Sequence, residues 1–308
     1  MDKMFLYIPL YNFNLSNDAI AEISDLGHEF LSGVRLIITP DVVQEYYQQV
    51  LTRQSIQLGF NGKMMFKRID IAQSPKYCLS IDQSNSSTVS FDEIIISIIR
   101  VLKPSNVNKR YMLVYNADSQ KIDLHYMCNM QFINEVPLNS KVLYGKDELS
   151  TISAMLSSWV KFNQKMLTTF STTKIYTAFE IFKHSFLQDG IFLRIIFYVV
   201  VLECLFSPGK KPLVHKIAEN AAFFLEPTDK NKRIEVYDLI RKTYKIRSEI
   251  VHTGKSETLT KCGVDIIRDA RNCVARSIIK CLSDDKIINI FIDDETRRRY
   301  FKELVIGR

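Results

Sequence analysis

Arg247 and His252 stand five residues apart near the end of a long helical pattern, and their side chains have complementary chemistry. A guanidinium keeps its charge at every physiological pH and can grip a phosphate or a carboxylate through two hydrogen bonds. An imidazole titrates near neutrality, so it can take or return a proton. On the helix that opens at Asp229, Ile240, Tyr244, Arg247 and Val251 step by four, three and four, which puts Arg247 in the apolar stripe. A charge at such a position needs a carboxylate, backbone carbonyls or a bound anion, and Glu203, near the end of a neighbouring apolar helix, is a candidate partner. His252 lies roughly 140° around an ideal helix from Arg247, so the two do not share a face. Gly254 suits the residue just past a helix end, which leaves the imidazole at a rim, free to turn toward Arg247 or a partner chain.

The spacing alone is uninformative. With 16 arginines and 5 histidines in 308 residues, an Arg-x4–6-His pairing arises by chance about 0.8 times. The surrounding run is more specific. Tyr244-Lys245-Ile246-Arg247-Ser248-Glu249-Ile250-Val251-His252-Thr253-Gly254 resembles the signature of the ApeA-like HEPN family: Tyr, two residues, Arg-Ser, three residues, His and then a glycine. Upstream, Arg194, Leu202-Glu203, Lys216-Ile217-Ala218, Phe223-Phe224-Leu225 and Arg233 follow in the order that family shows, so the resemblance runs from about residue 174 to 282.

The resemblance implies a helical bundle that forms a homodimer and brings two motifs together at a cleft, acting as an endoribonuclease with no metal and no cofactor. Arg247 and His252 are then the catalytic pair, the histidine taking the proton from a ribose 2′-hydroxyl or protonating the leaving oxygen while the arginine holds the phosphate. Ser248 stands where catalytic HEPN motifs often carry Asn, Asp or His, and it can donate a hydrogen bond to phosphate. Glu203, Tyr244, Lys245, Lys255 and Arg271 complete the expected RNA-binding or supporting set. Many ApeA-like proteins look like antiviral defence or toxin-type effectors. The alternative from another class is a non-catalytic module that binds RNA or a protein through the same cleft. The blandest alternative has Arg247 paired with Glu203 inside the bundle and His252 merely ending a helix. Arg271, close to the stripe Val264, Ile267, Val274, Ile278, fits either an internal ion pair or a phosphate contact.

The charge supports an anionic partner for the same region. Residues 1–189 hold 18 Lys/Arg against 18 Asp/Glu, whereas residues 190–308 hold 23 against 16, so the whole net charge of +7 falls in the C-terminal part. Lys242, Lys261, Arg268, Arg276 and Arg297-Arg298-Arg299 add to it, although a solvated face explains most of them one by one. The six cysteines include no CxxC pair and no Cys/His cluster at ligand spacing, so reduced structural thiols are expected. Gly190 to Phe206 is too short for a membrane span and carries Arg194 and Glu203, and no secretory pattern is visible, so a cytoplasmic protein with no membrane partner is expected.

The elements that position the motif divide in two. Residues 1–145 read as an α+β domain of unknown role, a candidate sensor or binding domain. Strands are expected at Met4 to Tyr11, Val34 to Thr39, Met64 to Ile71, Tyr111 to Tyr115 and Ile122 to Tyr126, the last two joined by a polar turn. Helices are expected at Asn17 to Leu31, Pro40 to Arg53 and Phe91 to Leu102. Residues 146–173 read as a connector helix with a Ser/Thr break, and 174–308 as an all-α HEPN-like bundle ending in an acidic-basic tail. Within it Ile175, Phe179, Phe182 and Phe186 form a core stripe. Gly59-Phe60-Asn61-Gly62-Lys63 lacks the full phosphate-loop spacing, and His28, His125, His184 and His215 stand alone.

Overall fold

The computed structural model describes residues 3–23, 27–46, 75–83, 91–109, 111–127, 141–169, 173–188, 190–207, 209 and 213–307. The expected strand Met64 to Ile71, the Gly59 to Lys63 loop, and the end of the helix expected to reach Arg53 lie outside them. The described residues form an α+β unit followed by a helical one, and the division falls between Leu156 and Ser157.

In the first unit, β1 (Met4–Tyr11), β3 (His28–Leu31), β4 (Val34–Ile38), β5 (Tyr77–Asp82), β6 (Asn108–Lys109), β7 (Tyr111–Asn116) and β8 (Lys121–Met127) build an antiparallel sheet in the order β3-β4-β5-β1-β7-β8, with β6 also on β1. Short β2 (Asn14–Leu15) and β9 (Leu143–Tyr144) pair in parallel. Alternation along β1 buries Leu6, Ile8 and Leu10 on one face and sets Phe5, Tyr7 and Tyr11 on the other, where Tyr7 stacks on Tyr115 at 5.5 Å between ring centroids. The β7–β8 hairpin is closed as expected, its Asn116 side-chain oxygen accepting from the backbone amides of Asp118 (3.0 Å) and Ser119 (2.9 Å).

Two expectations are corrected here. The helix foreseen from Asn17 to Leu31 is α1 (Asn17–Glu22) alone, and the chain re-enters the sheet at β3. Gly27 makes that turn at φ +78°, where an added Cβ would lie 2.4 Å from the Leu36 carbonyl oxygen. The strand β5 was not foreseen, because Tyr-Cys-Leu-Ser-Ile-Asp alternates weakly; it lies between β4 and β1 and is buried on both sides. The helix foreseen from Pro40 begins as α2 (Asp41–Tyr46). Helix α3 (Phe91–Leu102) has the expected bounds, and its buried Arg100 donates to the Val107 carbonyl (2.8 Å) and the Asn108 side chain (2.9 Å).

Helix α4 (Lys146–Thr169) spans the division. Its first half buries Leu149, Ile152, Met155 and Leu156 in the sheet unit, where Ser153 bonds His28 at 3.2 Å. The expected connector is therefore half a component of the first unit.

The second unit continues with α5 (Lys174–Ser185), α6 (Ile191–Phe206), α7 (Val214–Leu225), α8 (Lys230–Thr253), α9 (Glu257–Cys262) and α10 (Asp265–Leu282). The Ile175, Phe179, Phe182, Phe186 stripe is buried throughout. Val264, expected on the core side of the last long helix, is 67% exposed because it precedes the helix that buries Ile266, Ile267, Val274 and Ile278. The foreseen tail is two further helices, α11 (Asp285–Ile292) and α12 (Asp294–Ile306), whose Phe291 and Phe301 pack on Phe224. Arg297, read as part of a basic tail, is instead buried and donates to the Leu205 carbonyl at 2.7 Å, capping the last turn of α6. Among the described residues no helix is long and apolar enough to cross a membrane.

Candidate functional site

Helix α8 carries the motif and is fixed at both ends. Asp229 caps its start by accepting from the Lys232 amide (3.0 Å), and Arg233 donates to the Pro227 carbonyl (2.8 Å) while lying over the Phe223 ring. Gly254 ends it at φ +70°, donating its amide to Ile250 O, as its sequence position required. The buried positions are Val236, Ile240, Thr243, Tyr244, Ile246 and Ile250. Val251, assigned to the apolar stripe from spacing, is 50% exposed: it stands in the last turn of α8, where residues 251–253 are all exposed.

Arg247 points along that face, between the directions of Thr243 and Ile240, yet is only half-buried. Its Nε is enclosed and has no hydrogen-bond partner, and among the described residues no carboxylate lies within ion-pair distance of it. The bundle-internal pairing with Glu203 is therefore not formed. Tyr244, one turn earlier, is buried, and its enclosed hydroxyl has the Glu203 carboxylate beside it. Burial pushes the phenol's pKa up; the nearby Glu203 carboxylate adds to the rise and the Arg247 guanidinium opposes it. Glu203 and Arg247 thus both sit within electrostatic reach of the Tyr244 hydroxyl.

The rest of the expected set faces elsewhere. Ser248 and His252, four residues apart, share the solvent side of α8, and Lys245 and Lys255 are exposed with them. Arg247 and His252 of one chain consequently do not converge. Arg271 is not on this surface: it is 3% exposed, lies over the Phe182 and Phe186 rings at 5.8 and 6.0 Å, and reaches the Asn272 side chain at 3.4 Å. Of the two places its sequence position left open, inside the bundle or against phosphate, it occupies the first.

Glu249 was missed. Its carboxylate accepts from the Ser256 hydroxyl (2.5 Å), the Thr258 amide (3.1 Å) and the Thr258 hydroxyl (2.7 Å), with Lys245 at 3.9 Å. The acid therefore ties the end of α8 to the start of α9 and fixes the turn that bears Lys255. The only sequence signal was an acid seven residues before Ser-x-Thr. These hydrogen bonds, led by Ser256, hold the Glu249 carboxyl at about 2. Because this lies below the ordinary carboxyl value of about 4.3, the stabilisation is complete above that pH and is lost as pH falls through about 2. An NMR titration should place the Glu249 midpoint near 2; a midpoint above 4 would refute the clamp.

A cleft of about 670 Å³ opens between α8 and α9–α10, lined by Asp238, Lys242, Asp265, Asp269 and Arg276 among others, but it includes neither Arg247 nor His252. Among the described residues no group of three His, Cys, Asp or Glu side chains could hold a metal ion, and five cysteines are free thiols. Compared with known proteins, the chain matches no family model, and no curated protein or solved structure gives a significant match.

Proposed function

We propose that the helical unit is a metal-independent endoribonuclease of HEPN type, working as a homodimer in which Arg247 of one copy acts with His252 of the other. The observation that carries this reading is the half-buried Arg247 guanidinium, which no carboxylate neutralises among the described residues and which lies within a run resembling the ApeA-like signature. A half-buried cation that forms no ion pair among the described residues is suited to an anion from outside. His252, exposed at the helix end, removes the proton of a ribose 2′-hydroxyl. The freed oxygen attacks the adjacent phosphorus, and the 5′-oxygen departs with a proton, leaving a 2′,3′-cyclic phosphate and a 5′-hydroxyl. Arg247 stabilises the charge gathering on the phosphoryl oxygens, and Ser248 can donate one further hydrogen bond. The sheet unit is read as the sensing or binding part of a cytoplasmic defence or toxin-type effector.

Incubating the full chain with single-stranded RNA in excess chelator should yield fragments bearing those ends. The second reading, a non-catalytic RNA-binding or protein-interaction module, is favoured by Ser248 at the position after the arginine and by the separation of Arg247 from His252 in one chain. It predicts affinity that falls steeply with salt and no fragments at any protein concentration.

A further inference from the structure

Several cations on the helices of the second unit pair with an acid one turn away: Lys183 with Glu180, Lys216 with Glu219, Lys232 with Asp229 and Arg268 with Asp265. Along the solvent side of α8 beyond its first turn, Arg241 makes no such pair among the described residues and Lys245 shares its acid with two hydroxyls. Tyr237, Arg241, Lys245, Ser248 and His252 follow one another at steps of four, four, three and four, which confines them to an arc of about 80° on an ideal helix. Arg241, Lys245, Ser248 and His252 are exposed and Tyr237 half-buried. Asp238 stands beside Arg241 at i−3 without forming an ion pair among the described residues, and the one acid near Lys245, Glu249, is 3.9 Å away and committed to Ser256 and Thr258. Arg241 instead lies over the Tyr237 ring, 5.7 Å from its centroid. That arrangement leaves its N–H groups free while presenting two flat π surfaces.

Resting on the RNA reading above, we infer that this stripe is the track along which a single strand approaches His252, with Arg241 and Lys245 holding phosphates and Tyr237 with Arg241 stacking a base. At 1.5 Å per residue the stripe is about 22 Å long, room for about four nucleotides, the lower end of single-strand site sizes. Cations alternating with a ring suit a flexible strand whose bases are free to stack, and no base identity is read. A strand on this track meets His252 but lies far around the helix from the Arg247 of the same chain. The partner copy must then supply the arginine.

The test uses the full chain and a 2′-O-methyl oligoribonucleotide, which binds but lacks the nucleophile for cleavage. Arg241→Ala should weaken binding and lower the slope of log affinity against log salt by about one. Tyr237→Ala should weaken it about 5- to 150-fold with the slope unchanged. Lys216→Ala, on α7, should change neither. Arg241→Gln, which keeps the stem and removes the charge, should match the slope of Arg241→Ala. If the Arg241 and Tyr237 variants bind as wild type does, the track is refuted even where RNA is cleaved. If they weaken binding and wild type cleaves nothing, the track stands and the endoribonuclease reading fails. A wild-type chain that does not bind the oligonucleotide overturns both.

Discussion

Mixing an Arg247→Ala chain with a His252→Ala chain, each inactive alone, is expected to restore about a quarter of wild-type RNA cleavage, because half the reassorted dimers are mixed and each of those has one of two sites intact. Singly, each substitution should lower cleavage about 10²- to 10⁴-fold, the range for losing a positioned acid–base group or a transition-state charge donor. Neither should alter the helical circular-dichroism signal or the melting midpoint much, since His252 is exposed and Arg247 makes no ion pair among the described residues. A site built within one chain predicts no recovery, for no chain in the mixture would hold both groups. Full cleavage by both single variants would remove the catalytic role altogether, and global unfolding of Arg247→Ala would make the arginine a bundle residue.

Phe224→Ala is expected to have the largest effect on stability, about 3–5 kcal/mol, followed as a shift of the denaturant midpoint. Phe224 is 1% exposed, and its ring centroid lies 5.6 Å from Phe206, 5.9 Å from Phe291 and 6.2 Å from Phe301. Lys280 lies over the ring and donates to the Phe224 carbonyl at 2.6 Å. Truncation would leave a cavity where α6, α7, α11 and α12 meet, and three rigid aromatic neighbours cannot collapse into it without losing their own edge-to-face contacts. Phe224→Leu, which refills most of the volume, should recover much of the loss. A loss below about 1 kcal/mol for Phe224→Ala would mean that the C-terminal helices are not integral to the bundle.

Much of the helical unit was legible because helix punctuation is local chemistry. Asp229 and Gly254 bound α8 as their types require, and Ile175, Phe179, Phe182 and Phe186 bury the stripe that their spacing draws. Strands were legible where β-branched and aromatic residues cluster, as in Met4–Tyr11, and missed at Tyr77–Asp82, where a strand buried on both faces has no period to betray it. The C-terminal helices escaped notice because α11 is short and charged residues dominate α12, while Phe291, Arg297 and Phe301 are the ones that pack.

For the site, the sequence by itself determined which residues could do chemistry, that Arg247 stands in the apolar stripe, and that five-residue spacing turns His252 away from it, since these follow from helix geometry alone. Only the tertiary structure decided which charges are spoken for. It enclosed Arg271 and Arg297 in the bundle, left Arg247 without an ion pair to Glu203, and committed Glu249 to the turn beyond Gly254. The reason is that pairing depends on which helices pack together, and contacts between residues tens of positions apart leave no trace in local periodicity.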